Sequence, residues 1–173
     1  MAKPKYTLAQ LNSFSREEFV SIIGPVFEQS PWIAEVAWEQ RPFVSLEKLH
    51  EALTNIVHNS AVEKQVELIR AHPDLVGRAA LAGTLTPESN REQVAAGLGA
   101  LSLEEIVRFQ TSNQLYRDQF GFPFVICARL NKKDAILKGF EQRLKNSREQ
   151  EIKTALGEIG RIAWLRLQDL VAQ

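Results

Sequence analysis

Apolar residues recur at spacings of three and four through most of the chain, and no stretch alternates apolar with polar over the length of a strand. Leu46, Leu49, Leu53, Ile56 and Val57 form one such stripe, and Ile152, Leu156, Ile159, Ala163 and Leu167 form another. Between them Leu103, Ile106, Val107, Gln110 and Leu115-Tyr116 lie along a long third helix. A helix buries a stripe of this kind against its neighbours and turns its polar face to water. The pattern predicts an all-α protein.

Polar residues mark where the helices begin. Ser15-Arg16-Glu17-Glu18, Ser60-Ala61-Val62-Glu63, Ser102-Leu103-Glu104-Glu105 and Ser147-Arg148-Glu149-Gln150 have capping-box spacing. In such a box the serine oxygen and the side chain three residues on satisfy backbone N–H groups that a first helical turn leaves open. Ser30-Pro31 opens a helix through Trp32, Val36 and Ala37, and Ser45 precedes the Leu46 stripe. Thr86 is an N-cap candidate with Pro87 at the first helical position, where its missing N–H does no harm. Two places break the helical pattern: His72-Pro73, where proline disfavours helix for the residue before it, and Phe120-Gly121-Phe122-Pro123-Phe124. No internal repeat, low-complexity run or Gly/Ser linker divides the chain, so residues 1–173 read as one domain.

Length and charge then narrow the function. A chain of 173 residues can bury a core without disulfides or metal. Lys plus Arg and Asp plus Glu are 21 each, so the basic footprint that nucleic-acid backbones demand is missing, and the expected partner is a small molecule or another protein. A single cysteine, Cys127, forms no internal disulfide, which fits a reducing compartment. No apolar run approaches the ~20 residues that span a bilayer. Met1-Ala2-Lys3-Pro4-Lys5 is not followed by the apolar core of a signal peptide, and Val171-Ala172-Gln173 is not a peroxisomal Ser-Lys-Leu ending. A soluble, cytoplasmic protein is the expectation.

Candidate chemistry gathers at the breaks, where backbone groups become free to meet a ligand. On the helix starting at Thr86, spacing puts Ser89 and Glu92 on one face, with Gln93 beside them and small Ala96 one turn on. Were that helix start to face a pocket, its dipole would favour an anionic ligand by about 0.3–1 kcal/mol. Each residue also has a plainer reading. Glu92 alone is a solvated carboxylate, and Ser89 a support for the helix start. Most histidines are surface or satisfied core residues; the pre-proline, helix-end position lifts His72 above that, while His50 and His58 stay structural. Arg161 lies off the apolar stripe and reads as solvated. Gly157 and Gly160, at about 1 kcal/mol each relative to alanine inside a helix, suggest close approach of another element or a ligand beside it. Gly121 to Ala128 reads as an irregular apolar wall whose backbone could bond a flat ring. Three scattered histidines and one cysteine lack metal-ligand spacing, so no metal site is expected.

Taken together, Ala71-His72-Pro73-Asp74-Leu75, Ser89-x-x-Glu92-Gln93 with Ala96-Gly97-Leu98, Phe120-Gly121-Phe122-Pro123-Phe124 and Glu158-Ile159-x-Arg161 resemble the 2-oxo-4-hydroxy-4-carboxy-5-ureidoimidazoline (OHCU) decarboxylases of uric acid degradation. The resemblance covers nearly the whole chain. Gly99, where an aspartate is expected after Ala-Gly-Leu, and Gln119, where a basic residue is expected before Phe-Gly-Phe-Pro, depart from it. It implies an all-helical, commonly homodimeric lyase that needs no cofactor and yields (S)-allantoin from a ureidoimidazoline. It implies that His72 is the catalytic acid, that Ser89, Glu92 and Arg161 line the site, and that Pro73, Gln93 and Phe124, Val125, Ile126, Cys127 and Ala128 hold the substrate. A carboxylate within ~4–6 Å raises a histidine's pKa, which gives Glu92 a catalytic part beside His72. Two other readings stand against this one. In a non-enzymatic helical interaction module, Phe122-Pro123-Phe124 would dock a partner; a metal-dependent hydrolase acting on a ureide would need ligand spacing that the chain lacks.

Overall fold

Most capping signals in the sequence start a helix in the computed structural model, which describes residues 5–172. Residues 1–4 and 173, on which the readings of the two chain ends partly rest, lie outside the described residues. Among the described residues there is no strand, only an isolated bridge between Tyr6 and Val171, and the class is all-α. The residues group into two compact units. One runs to Ala71 and resumes at Gly160; the other is His72–Ile159.

In the first unit α1 (Leu8–Ser13), α2 (Arg16–Ile23), α3 (Trp32–Trp38), α4 (Leu46–His58) and α5 (Val62–Ala71) follow in order. Thr7 and Ser15 close complete capping boxes on α1 and α2, and Ser45 caps α4 by accepting from the Lys48 N–H. Two serines act otherwise than the spacing predicts. Ser60 donates to the Val57 carbonyl at 2.7 Å, so it finishes α4 and leaves α5 to begin at Val62. Ser30 donates to the Glu28 carbonyl, and α3 starts behind Pro31 with no side-chain cap. The core of this unit includes Leu11, Phe19, Ile23, Ile33, Leu49 and Leu53, none of them more than 0% exposed. Arg41 ties the α1–α2 turn down by donating to the Asn12 and Phe14 carbonyls at 2.9 and 2.7 Å. His50 is the satisfied structural histidine that was expected: its Nε2 lies 2.8 Å from the Gly160 carbonyl and its ring meets Trp164 edge-on.

The second unit contains α6 (Arg78–Leu81), α7 (Pro87–Ala95), α8 (Leu103–Phe120) and α9 (Lys133–Arg143). The last helix, α10 (Arg148–Leu170), contributes its residues up to Ile159 here and those from Gly160 to the first unit. Its apolar stripe is buried as predicted. The stripe read for α8 is fully buried only at Tyr116. Leu103, Val107 and Leu115 are exposed, and the buried face is Phe109, Asn113, Tyr116 and Phe120. Those aromatic rings join Phe122, Phe124 and Phe140 in one cluster, with Phe124 stacked on Phe140 at 3.9 Å. Burial of large aromatic area decides the face over the merely aliphatic alternative.

Candidate active site

The first break in the helical pattern is a short loop, His72 to Gly77, where α5 ends at Ala71. His72 is buried at 6% exposure. Four residues on, Val76 takes a left-handed backbone with φ of 55°, a conformation that costs a β-branched residue about 1–3 kcal/mol. Side chains of two helices hold the loop there. Gln93 of α7 accepts the Val76 N–H at 3.1 Å through its Oε1 and donates through Nε2 to the Asp74 carbonyl at 3.4 Å. From α8, Asn113 donates to the Leu75 carbonyl at 2.8 Å, and Arg117 forks onto the Asp74 carboxylate at 2.9–3.1 Å. Gly77 closes the turn, and a Cβ there would stand 2.6 Å from that of Asp74.

The helix after this loop carries the polar face read from the sequence. Thr86 caps α7 by accepting the Ser89 N–H at 3.2 Å, and Pro87 occupies its first turn. Ser89 and Gln93 are buried, Ala96 is buried a turn further on, and Glu92 is half-buried among them. α7 packs on the 3₁₀ turn Ala128–Leu130, and Lys132 donates to the Ala95 carbonyl at 3.0 Å. The helix therefore adjoins both breaks of the unit.

The second break follows α8, which ends in the left-handed Gly121 at φ 79°. The residues after it, Phe122 to Ala128, are irregular and almost wholly buried, the apolar wall that was expected. Their backbone groups find charged partners. The Val125 carbonyl accepts from Arg143 Nη1 at 2.6 Å, and the Cys127 N–H donates to Glu158 Oε2 at 2.8 Å. Arg143 is held in turn by Glu151, whose carboxylate is fully buried and lies 2.8 Å from Nε. Tyr116 donates its phenol to the same carboxylate, Asn146 bonds the other oxygen at 2.8 Å, and the guanidinium lies 4.3 Å over the Phe124 ring. Burial, with the Glu151 carboxylate adding to it, pushes the Tyr116 phenol well above its ordinary range, so it stays a donor. Burial followed by the Glu158 and Glu92 carboxylates pushes the Cys127 thiol up as well. Glu92 thus makes itself felt at the wall as well as on its own helix.

The family model for OHCU decarboxylase matches residues 12–168. The chain belongs to the OHCU decarboxylase family. It is 42% identical over 166 residues to the 2-oxo-4-hydroxy-4-carboxy-5-ureidoimidazoline decarboxylase of Halalkalicoccus jeotgali, which covers 96% of this chain and 92% of the relative. The protein of that name from Mus musculus is 42% identical and covers 95% and 92%. Among solved structures, an (S)-allantoin synthase superposes with a TM-score of 0.77 at 29% identity, covering 96% of this chain and 54% of that one. An OHCU decarboxylase crystallised in the presence of (S)-allantoin superposes at 0.71 with 23% identity, a likeness of fold.

Against the OHCU decarboxylase motifs, the second unit gathers His72, Pro73, Ser89, Glu92, Gln93 and Phe124 to Ala128. Arg161 falls in the first unit, exposed on α10. Of the glycines beside it, Gly160 does face another element, α4, whose His50 reaches its carbonyl and whose Thr54 a Cβ there would touch at 3.6 Å, while a Cβ at Gly157 would meet nothing within 4 Å. Gln93, read as a substrate ligand, bonds the loop that bears His72. Among the described residues no three His, Cys, Asp or Glu side chains cluster so as to hold a metal ion. Sequence reasoning named Tyr116 only as part of a helical stripe and passed over Asn113, Arg117, Arg143 and Glu151. One signal for them exists: Asn113, Tyr116 and Arg117 follow Phe109 at spacings that put an amide and a phenol on an aromatic helix face, where a polar group needs a partner.

Proposed function

We propose that this chain decarboxylates 2-oxo-4-hydroxy-4-carboxy-5-ureidoimidazoline to (S)-allantoin. A buried histidine at a helix break, on a loop that Gln93 ties at Asp74 and Val76 to the helix carrying Ser89 and Glu92, supports the reading in a chain of this family. The carbon–carbon bond to the carboxylate breaks, and its electron pair moves toward the adjacent ring imine as carbon dioxide leaves. The ring nitrogen that receives the pair takes up a proton from solvent to give an enol. The enol is then protonated on one face of the ureido-bearing carbon while its hydroxyl gives up a proton as the product carbonyl forms. The substrate itself accepts the electrons, so neither cofactor nor metal is called on. His72 delivers the proton, with Glu92 orienting or charging the imidazole. Ser89 and the α7 start anchor polar groups of the ring, the Phe124–Ala128 wall lies against it, and Pro73 and Gln93 complete the pocket around His72. Arg161 offers its guanidinium fork to a carbonyl or carboxylate. We further propose that the protein works as a cytoplasmic homodimer.

The test generates the unstable substrate in place from urate with urate oxidase and 5-hydroxyisourate hydrolase, and follows the circular dichroism of the allantoin formed. Rapid appearance of one optically active enantiomer, insensitive to a chelator, is the expected result. A trace no faster than spontaneous decay to racemic allantoin overturns the reading and puts the interaction module in its place.

A further inference from the structure

The reaction scheme uses no group of α8, yet α8 holds the loop that presents the acid. Asn113 is 5% exposed in the middle of that helix, on the same face as Phe109, Tyr116 and Phe120. Its Nδ2 donates to the Leu75 carbonyl at 2.8 Å, while its Oδ1 is buried with no hydrogen-bond partner among the described residues. A side chain of that shape without the amide would bury no such acceptor, so packing alone does not account for asparagine here. One turn on, Arg117 places its fork on the Asp74 carboxylate at 2.9–3.1 Å. Positions four apart share a helix face, so both grips sit on one rigid edge. They take hold two and three residues after His72. Immediately beyond lies Val76, in a left-handed conformation that a β-branched residue does not keep unaided.

We propose that Asn113 and Arg117 are positioning residues for the decarboxylation: they tie the backbone after His72 to α8 at two points, keep Val76 in its turn, and so fix where the imidazole stands. Proton delivery to one face of an intermediate demands such fixing, because a misplacement of about 1 Å can lower a rate ~100-fold. The kinetic half of this assignment rests on the decarboxylase reading; the hold on the loop does not.

Asn113→Leu and Arg117→Met in the full chain test it, read by thermal midpoint, by amide hydrogen exchange over residues 72–77, and by kcat and KM on the substrate made in place. In both variants exchange at the loop rises, and kcat falls about 10- to 100-fold while KM moves less than about threefold. Arg117→Lys, which keeps the charge and loses the fork, falls between wild type and Arg117→Met. Exchange at the wild-type rate in the variants overturns the proposal, and so does a loosened loop with an unchanged kcat. If Asn113→Leu does not fold, Arg117→Met decides by the same two readouts, since that arginine is exposed. A wild-type protein that turns over no substrate sinks the decarboxylase reading instead, and with it the kinetic half. Loop exchange then still decides whether α8 holds the loop.

Discussion

The loop His72–Gly77 and the segment Gly121–Ala128 both interrupt the helices of the second unit, and they are held in place by different means. Two neutral amides and a partly exposed Asp74–Arg117 pair hold the loop. The segment is held at its backbone by Arg143 and Glu158, buried charged groups, with Arg143 resting on the fully buried Glu151. Neutral hydrogen bonds contribute about 1 kcal/mol each, whereas taking away one member of a buried ion pair costs several. The Gly121–Ala128 segment is therefore the one that rests on buried charge, and the loop bearing His72, the proposed acid, is the one held by lighter bonds. Damage to the first is expected to appear as lost stability, and damage to the second as lost rate.

The sharpest break of that contrast is Glu151→Ala. It leaves Arg143 charged and buried beside Val125, and a loss of about 3–5 kcal/mol is expected in urea unfolding. A loss below ~1 kcal/mol would mean that the wall does not depend on its buried charges. His72→Ala makes the opposite case: it is expected to fold normally and lose about 10²- to 10⁴-fold in kcat. An active His72→Ala enzyme removes the acid role from the scheme. Gly77→Ala touches both quantities. Its Cβ would meet that of Asp74 at 2.6 Å, so the turn must shift, lowering stability by about 1–3 kcal/mol and moving His72 with it. Wild-type kcat in that variant would show that the turn does not set the position of the acid.

The smallest effect concerns the thiol in the wall. Because the folded Cys127 is pushed above its ordinary value of 9.0, the fold favours the neutral thiol. That contribution is whole below pH 9 and is lost as the pH rises toward the folded value, since the unfolded chain then releases the proton first. Thermal midpoints measured from pH 8 upward are expected to fall more steeply for wild type than for Cys127→Ala. Identical slopes would mean that the wall opens to solvent more readily than its buried contacts imply.

Helix starts at Ser15, Ser45, Thr86, Ser102 and Ser147 were legible because a cap is a local bargain between a side chain and a backbone N–H three residues away. The breaks at His72-Pro73 and Gly121 were legible for the same reason, proline and glycine being restrictions on single residues. So were the polar face of Ser89, Glu92 and Gln93, and, through the resemblance, the family. Ser60 fell the other way because the Val57 carbonyl behind it was an equally local partner that spacing does not rank. Which face of α8 turned inward was settled by aromatic rings arriving from Phe122, Phe124 and Phe140. The grip of Asn113 on Leu75 joins positions 38 apart, and that of Arg117 on Asp74 joins positions 43 apart. Periodicity carries no information about such pairs. By itself, then, the sequence determined most of the longer helices, several of their starts and the residues offered for chemistry, since each depends on neighbours within a turn. Tertiary structure alone decided what holds those residues still, because a buried amide or guanidinium takes whichever distant backbone group the packed core brings to it.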